Sequence, residues 1–66
     1  MPDLKALELL VAVHDEGSLG AGARAIGMAQ PNASRLVGRL ERDLQQRVVV
    51  RRPQGAQLTP VGVMLV

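Results

Sequence analysis

Apolar positions are dense from the start of the chain. Leu4, Leu7, Leu9, Leu10, Val11 and Val13 precede a polar run ending in Asp15, Glu16 and Gly17. Their spacing predicts a helix from about Leu4 to Glu16, with Asp3 as its cap and Gly17 supplying the left-handed residue that ends it. Six apolar residues cover more than one narrow stripe. Such a helix is buried along much of its girth or keeps part of its surface for a partner. Asp15 and Glu16 lie at the negative end of the helix dipole, at a cost of tenths of a kcal/mol each. They either keep that end away from polyanions or simply solvate it.

The pattern then changes to two narrower stripes separated by a break. Leu19, Ala23 and Ile26 recur at i, i+4 and i+7, and Ser18 before them has a hydroxyl able to cap a short helix. Gly27-Met28-Ala29 interrupts the periodicity. Ala33, Leu36, Val37, Leu40 and Leu44 resume it over a longer helix, from about Gln30 to Leu44 or Gln45, with Pro31 in its first turn. At about 100° per residue, Arg35, Gly38 and Arg42 project from the opposite face, flanked by Asn32 and Arg39 on one side and Ser34 on the other. Two helices joined by so short a turn cross steeply, which is the helix-turn-helix arrangement that presents a second helix to a DNA major groove. Gly20 and Gly22 each cost roughly 0.8–1 kcal/mol relative to Ala inside a helix. Two accounts stand side by side: close packing on the first helix, or close approach of free N–H groups to a phosphate.

Val48 to Arg51 is β-branched and reads as a strand, Arg52-Pro53-Gln54-Gly55 as a turn, and Ala56 to Leu58 as the return strand. A lone hairpin is marginal in water, so Val48, Val50 or Leu58 is expected to pack it on the helices. Thr59-Pro60 then caps and opens a fourth helix reaching Val66, apolar nearly all round. Either the chain is cut inside a longer helix, or this last turn is a frayed tail packed on the first helix. The fold expected is mostly α: a winged helix-turn-helix with a three-helix core and a short β-hairpin wing over residues 1–58, and the start of a linker helix over 59–66.

Composition narrows the function. Sixty-six residues allow one small domain, which buries only about 60% of its unfolded-chain surface. Without Phe, Tyr or Trp the core is built from small and aliphatic side chains, leaving little room for a catalytic cavity. Without Cys there is neither disulfide nor thiolate metal site, and the single His14 has only carboxylates near it in sequence. No Cys nucleophile and no His partner for a Ser argue against an enzyme, and no cofactor or metal is expected. No apolar run approaches the ~20 residues of a membrane span, and no signal pattern opens the chain. A cytoplasmic protein with no membrane partner is the expectation.

Charge is unevenly placed. Residues 1–16 carry Lys5 against Asp3, Glu8, Asp15 and Glu16, a balance of −3; residues 17–66 carry seven Arg against Glu41 and Asp43, a balance of +5. Arg is matched in shape to phosphates and to the guanine edge. Any one Arg could merely solvate a helix face, but the set sits on the second half of the motif and the hairpin after it.

A helix in a major groove reads bases mainly through its N-terminal residues. Gln30 and Asn32 carry amides able to pair with adenine, Pro31 and Ala33 could meet thymine methyls, and Ser34 and Arg35 complete the base-reading candidates. Taken alone, Gln30 and Asn32 are ordinary first-turn polar residues. Ser18, Arg24 and Arg39 are phosphate candidates, and Arg42 lies far enough along the helix to reach a phosphate or nothing. Gly38 leaves the DNA-facing side open to close approach. On the hairpin, Arg51 and Arg52 point to opposite faces, so only one faces DNA.

Ser18, Ala23, Ala29-Gln30-Pro31, Ser34, Leu40-Glu41, Leu44 and Arg52, with flanks at Leu4–Gly17 and Leu58–Gly62, resemble the N-terminal domain of LysR-type transcriptional regulators. The resemblance covers essentially the whole chain. It implies sequence-specific binding of double-stranded DNA, with Arg52 as the wing contact and Gln54 near the tip. It also implies a bacterial homo-oligomer, commonly tetrameric, held through the linker helix. A small-molecule effector is expected only in a C-terminal domain of periplasmic-binding-protein type. There are departures: Ala29 stands where a capping Ser is usual, Gly22 where Ala is, Gln45 where Gly ends the recognition helix, and Val49 where Phe anchors the wing. The alternatives are the DNA-binding domain of a molybdate-responsive regulator, or a winged helix used for protein–protein contact.

Overall fold

The computed structural model describes residues 4–66. The expected cap at Asp3 lies outside the described residues. The order is α1 (Leu4–Glu16), α2 (Leu19–Ala25), α3 (Gln30–Leu44), β1 (Val49–Arg52), β2 (Gly55–Leu58) and α4 (Pro60–Leu65). This is the winged helix-turn-helix expected from the periodicity.

α1 buries Ala6, Leu9, Leu10, Ala12 and Val13 and leaves Leu4 and Val11 exposed. It ends where Gly17 takes φ +85 and its N–H donates to the Val13 carbonyl at 2.9 Å, a conformation that costs glycine nothing. Ser18 then caps α2, its Oγ accepting the Ala21 N–H at 3.0 Å. α2 lies unusually close to α1: a Cβ on Gly22 would stand 2.8 Å from the Val13 backbone nitrogen. Close packing is therefore what Gly22 provides. Leu19 and Ala23 enter the core from α2, and Ala33, Val37 and Leu40 from α3, with Leu36 and Leu44 half-buried at its margin.

The turn between α2 and α3 closes with the Met28 N–H donating to the Ala23 carbonyl at 2.8 Å and the Gly27 N–H to the Arg24 carbonyl at 3.1 Å. Ala29 occupies the N-cap of α3 without a side-chain hydrogen bond, and Pro31 sits in the first turn. At the other end Gln45, with φ 54 and ψ 36, adopts the left-handed cap.

β1 and β2 pair antiparallel, Val49 opposite Leu58 and Arg52 opposite Gly55. The strand starts one residue later than Val48 and ends one residue later than Arg51. Val48 and Leu58 do anchor the wing, but the third anchor is Val49 rather than Val50. Side chains alternate along a strand, so with Val49 turned inward Val50 must face out. Thr59 caps α4 by accepting the Gly62 N–H at 3.1 Å. Leu65 and Val66 then share an apolar groove with Leu4, Leu7, Val11 and Ile26.

Candidate nucleic-acid interface

The fold places the N-terminal half of α3 outward. Gln30, Pro31, Asn32, Ser34 and Arg35 are all exposed, while Ala33 between them is fully buried and so withdrawn from base contact. The outward residues are organised among themselves. The Arg35 guanidinium donates to the Asn32 amide oxygen, linking two of the base-reading candidates across one turn. The Gln30 amide lies over α2: a Cβ on Gly20 would approach its Oε1 to 3.1 Å and Arg24 Nη1 to 3.6 Å. Gly20 thus makes room beneath Gln30 and Arg24, a role distinct from that of Gly22. Farther along, Gly38 is open except for Arg42, whose Nη1 lies 3.7 Å from where a Cβ would be.

Seven exposed arginines surround this helix and the wing. Among the described acidic groups, Glu8 pairs with Lys5 at 3.5 Å and Glu41 with Arg47 at 3.5 Å. The wing arginines separate as strand alternation demands. Arg51, on the face of Val49, donates from Nη2 to Ser34 Oγ at 2.9 Å and so joins the wing to the exposed face of α3. Arg52 is exposed on the opposite face with Val50, and Gln54 sits at the exposed tip. Ser18 retains its hydroxyl proton as a donor while its oxygen caps α2. Arg24 and Arg39 are exposed on α2 and α3.

A family described as bacterial regulatory helix-turn-helix proteins of the lysR family matches residues 4–63. The chain belongs to the LysR family. One relative of this LysR-family domain, the uncharacterized HTH-type transcriptional regulator Rv2282c of Mycobacterium tuberculosis, is 37% identical over 65 residues, 98% of this chain and 21% of its own. The chain thus spans about a fifth of the length of the curated relatives it matches. The crystal structure of a complex of the BenM DBD with catB site 1 DNA superposes with a TM-score of 0.84 at 32% identity, covering 96% of this chain and 70% of that one. Full-length LysG of Corynebacterium glutamicum superposes at 0.88 with 29% identity, covering 100% and 23%.

Two residues that join α3 to the wing carry little local signal in the sequence. The resemblance favours Arg52 over Arg51 on the wing, and three consecutive valines show no alternation to mark the inward face of β1. Glu41 stands out in the sequence only as one of two acidic residues after residue 16 and through the family resemblance. Its backbone partners, Val48 and Val49, lie past the end of α3, where no helical spacing relates them to it. Among the described residues no helix is long and apolar enough to cross a membrane, and no group of three His, Cys, Asp or Glu comes together.

Proposed function

We propose that this domain reads a half-site of double-stranded DNA by laying the N-terminal half of α3 in the major groove. Gln30, Pro31, Asn32, Ser34 and Arg35 face the base edges, while Ser18, Arg24, Arg39 and the wing hold phosphates. The observation carrying this reading is the outward polar first half of α3, with Arg35 within it, Arg39 and Arg42 following it along the helix, and Arg51 joining it to the wing. Such a face meets base edges with amide and guanidinium donors and meets the backbone with charge. On the wing, Arg51 is added to Arg52 and Gln54 as a backbone contact, in place of the expectation that only one of the two arginines faces DNA.

Crystal structures of DNA complexes with LysR-type folds support this reading, as does the family match. That match also weighs against a molybdate-responsive regulator. In the intact protein, α4 would continue as a linker helix joining two copies. An effector would bind a further C-terminal domain, and the protein would act in the bacterial cytoplasm. The test is a binding-site selection on random duplex DNA, followed by affinity against salt. A selected motif with a slope of about −0.9 per phosphate contact is expected. No selected motif and no salt dependence would return the domain to protein–protein contact.

A further inference from the structure

Glu41 is rooted in α3, yet its side chain serves the wing. Its Oε2 accepts the backbone N–H of Val48 at 2.8 Å and of Val49 at 3.3 Å, and Arg47 Nε lies 3.5 Å from the same oxygen. The same stretch is held from its other edge. Thr59 donates its N–H to the Val48 carbonyl at 2.9 Å and its Oγ1 proton to the Arg47 carbonyl at 2.6 Å. The N–H groups of Val48 and Val49 thus go to α3, and the carbonyls of Arg47 and Val48 to the cap of α4. Two residues on, on the same face of β1, Arg51 rests on Ser34. A strand rises about 3.3 Å per residue, so roughly 7 Å of paired backbone connects the fixed point to Arg51.

A carboxylate on a helix that meets a polyanion is unfavourable unless its charge is absorbed. Glu41 is turned inward, its side chain 20% exposed, with two N–H groups and a guanidinium on one oxygen. Ser34 occupies only one donor of the five that Arg51 carries, and the rest of the fork suits a phosphate.

We propose that Glu41 is a positioning residue for DNA binding: it fixes the root of β1 so that Arg51, seated on Ser34, meets a phosphate at the edge of the groove that α3 enters. This rests on the DNA-reading role above.

The test is a double-mutant cycle on the 66-residue chain, using E41A, R51A and their combination, with E41Q as the conservative variant. Affinity for a duplex selected from random sequence is measured against salt, at a temperature where circular dichroism shows each variant folded. E41A and R51A should each weaken binding about tenfold and flatten the salt slope by about 0.9, one phosphate contact. The combination should bind no more weakly than R51A alone. E41Q, which keeps an acceptor for both N–H groups, should recover most of the affinity. Additive losses, or folded E41A with the original affinity and slope, overturn the proposal. Should E41A not fold, Glu41→Asp withdraws the carboxylate by one methylene and enters the same cycle. If the unmutated chain binds no duplex, the DNA-reading role falls and this proposal with it; additivity in a chain that does bind overturns this proposal alone.

Discussion

Gly55 and Gly17 meet backbone to backbone: a Cβ on Gly55 would stand 2.2 Å from the Gly17 carbonyl oxygen, which accepts the neighbouring Ala56 N–H at 2.8 Å. The wing is thus docked on the turn between α1 and α2 as well as on α3. Gly55 also has φ +144, a region that only glycine occupies readily. Gly55→Ala is therefore expected to cost the roughly 1–3 kcal/mol of backbone strain and, beyond that, to push the wing off the turn. Urea unfolding would show the loss. An unchanged midpoint would mean that the hairpin is not docked on Gly17.

The two weak ends of α3 offer gains. Ala29 leaves the first-turn N–H groups without a side-chain cap, so Ala29→Ser should stabilise the domain by about 0.5–2 kcal/mol. Gln45 is exposed and left-handed, so Gln45→Gly should relieve roughly 1 kcal/mol of steric cost. Thermal unfolding of each single variant is the measurement. No gain from Ala29→Ser would show that those N–H groups have another acceptor.

Asn32 and Arg35 are bonded to each other and should act as a unit on bases. Replacing Gln30, Asn32 or Arg35 by Ala is expected to cost about 1–3 kcal/mol on the selected site and to relax preference at one position. For Asn32 and Arg35 the two losses should be less than additive. An equal loss on selected and random duplexes would assign the residue to phosphate instead.

Gly22→Ala should be destabilising despite the better helix propensity of Ala, because the added carbon meets the backbone of α1 at 2.8 Å and backbone cannot move aside as a side chain does. Gly20→Ala meets only the ends of the flexible Gln30 and Arg24 side chains and should be tolerated in stability while altering DNA preference. The pair is read by comparing melting temperature with site selection. Equal destabilisation by both would contradict the division of roles.

The 66-residue chain should be largely monomeric at micromolar concentration. Leu4, Val11 and Val66 expose an apolar strip, but α4 extends only over Pro60–Leu65, too short for a helix to hold a partner by itself. Sedimentation equilibrium checks this; a stable dimer without DNA would show that α1 suffices to hold two copies together.

The sequence by itself determined what depends on near neighbours. Helical periodicity located α1, α2 and α3, Ser18 and Thr59 marked their own caps, and Gly17 marked a helix end. These are energies among residues a few positions apart, written in the chain as spacing and residue type. Exposure of Asn32 and Arg35 followed from the same period, because burying Ala33, Val37 and Leu40 forces the other face outward, whereas Gln30 lies on the buried side of that period and is exposed because it opens the helix. Tertiary structure alone decided the rest. Three identical valines carry no record of which one faces the core, so the side of β1 that Arg51 shares with Val49, next to Ser34, waited on the docking of the strand. The acceptor for Val48 and Val49 is a carboxylate on α3, and the limits on Gly22 and Gly55 come from backbones of other segments. Such contacts form only when separate elements pack together, and no periodicity within one element encodes them.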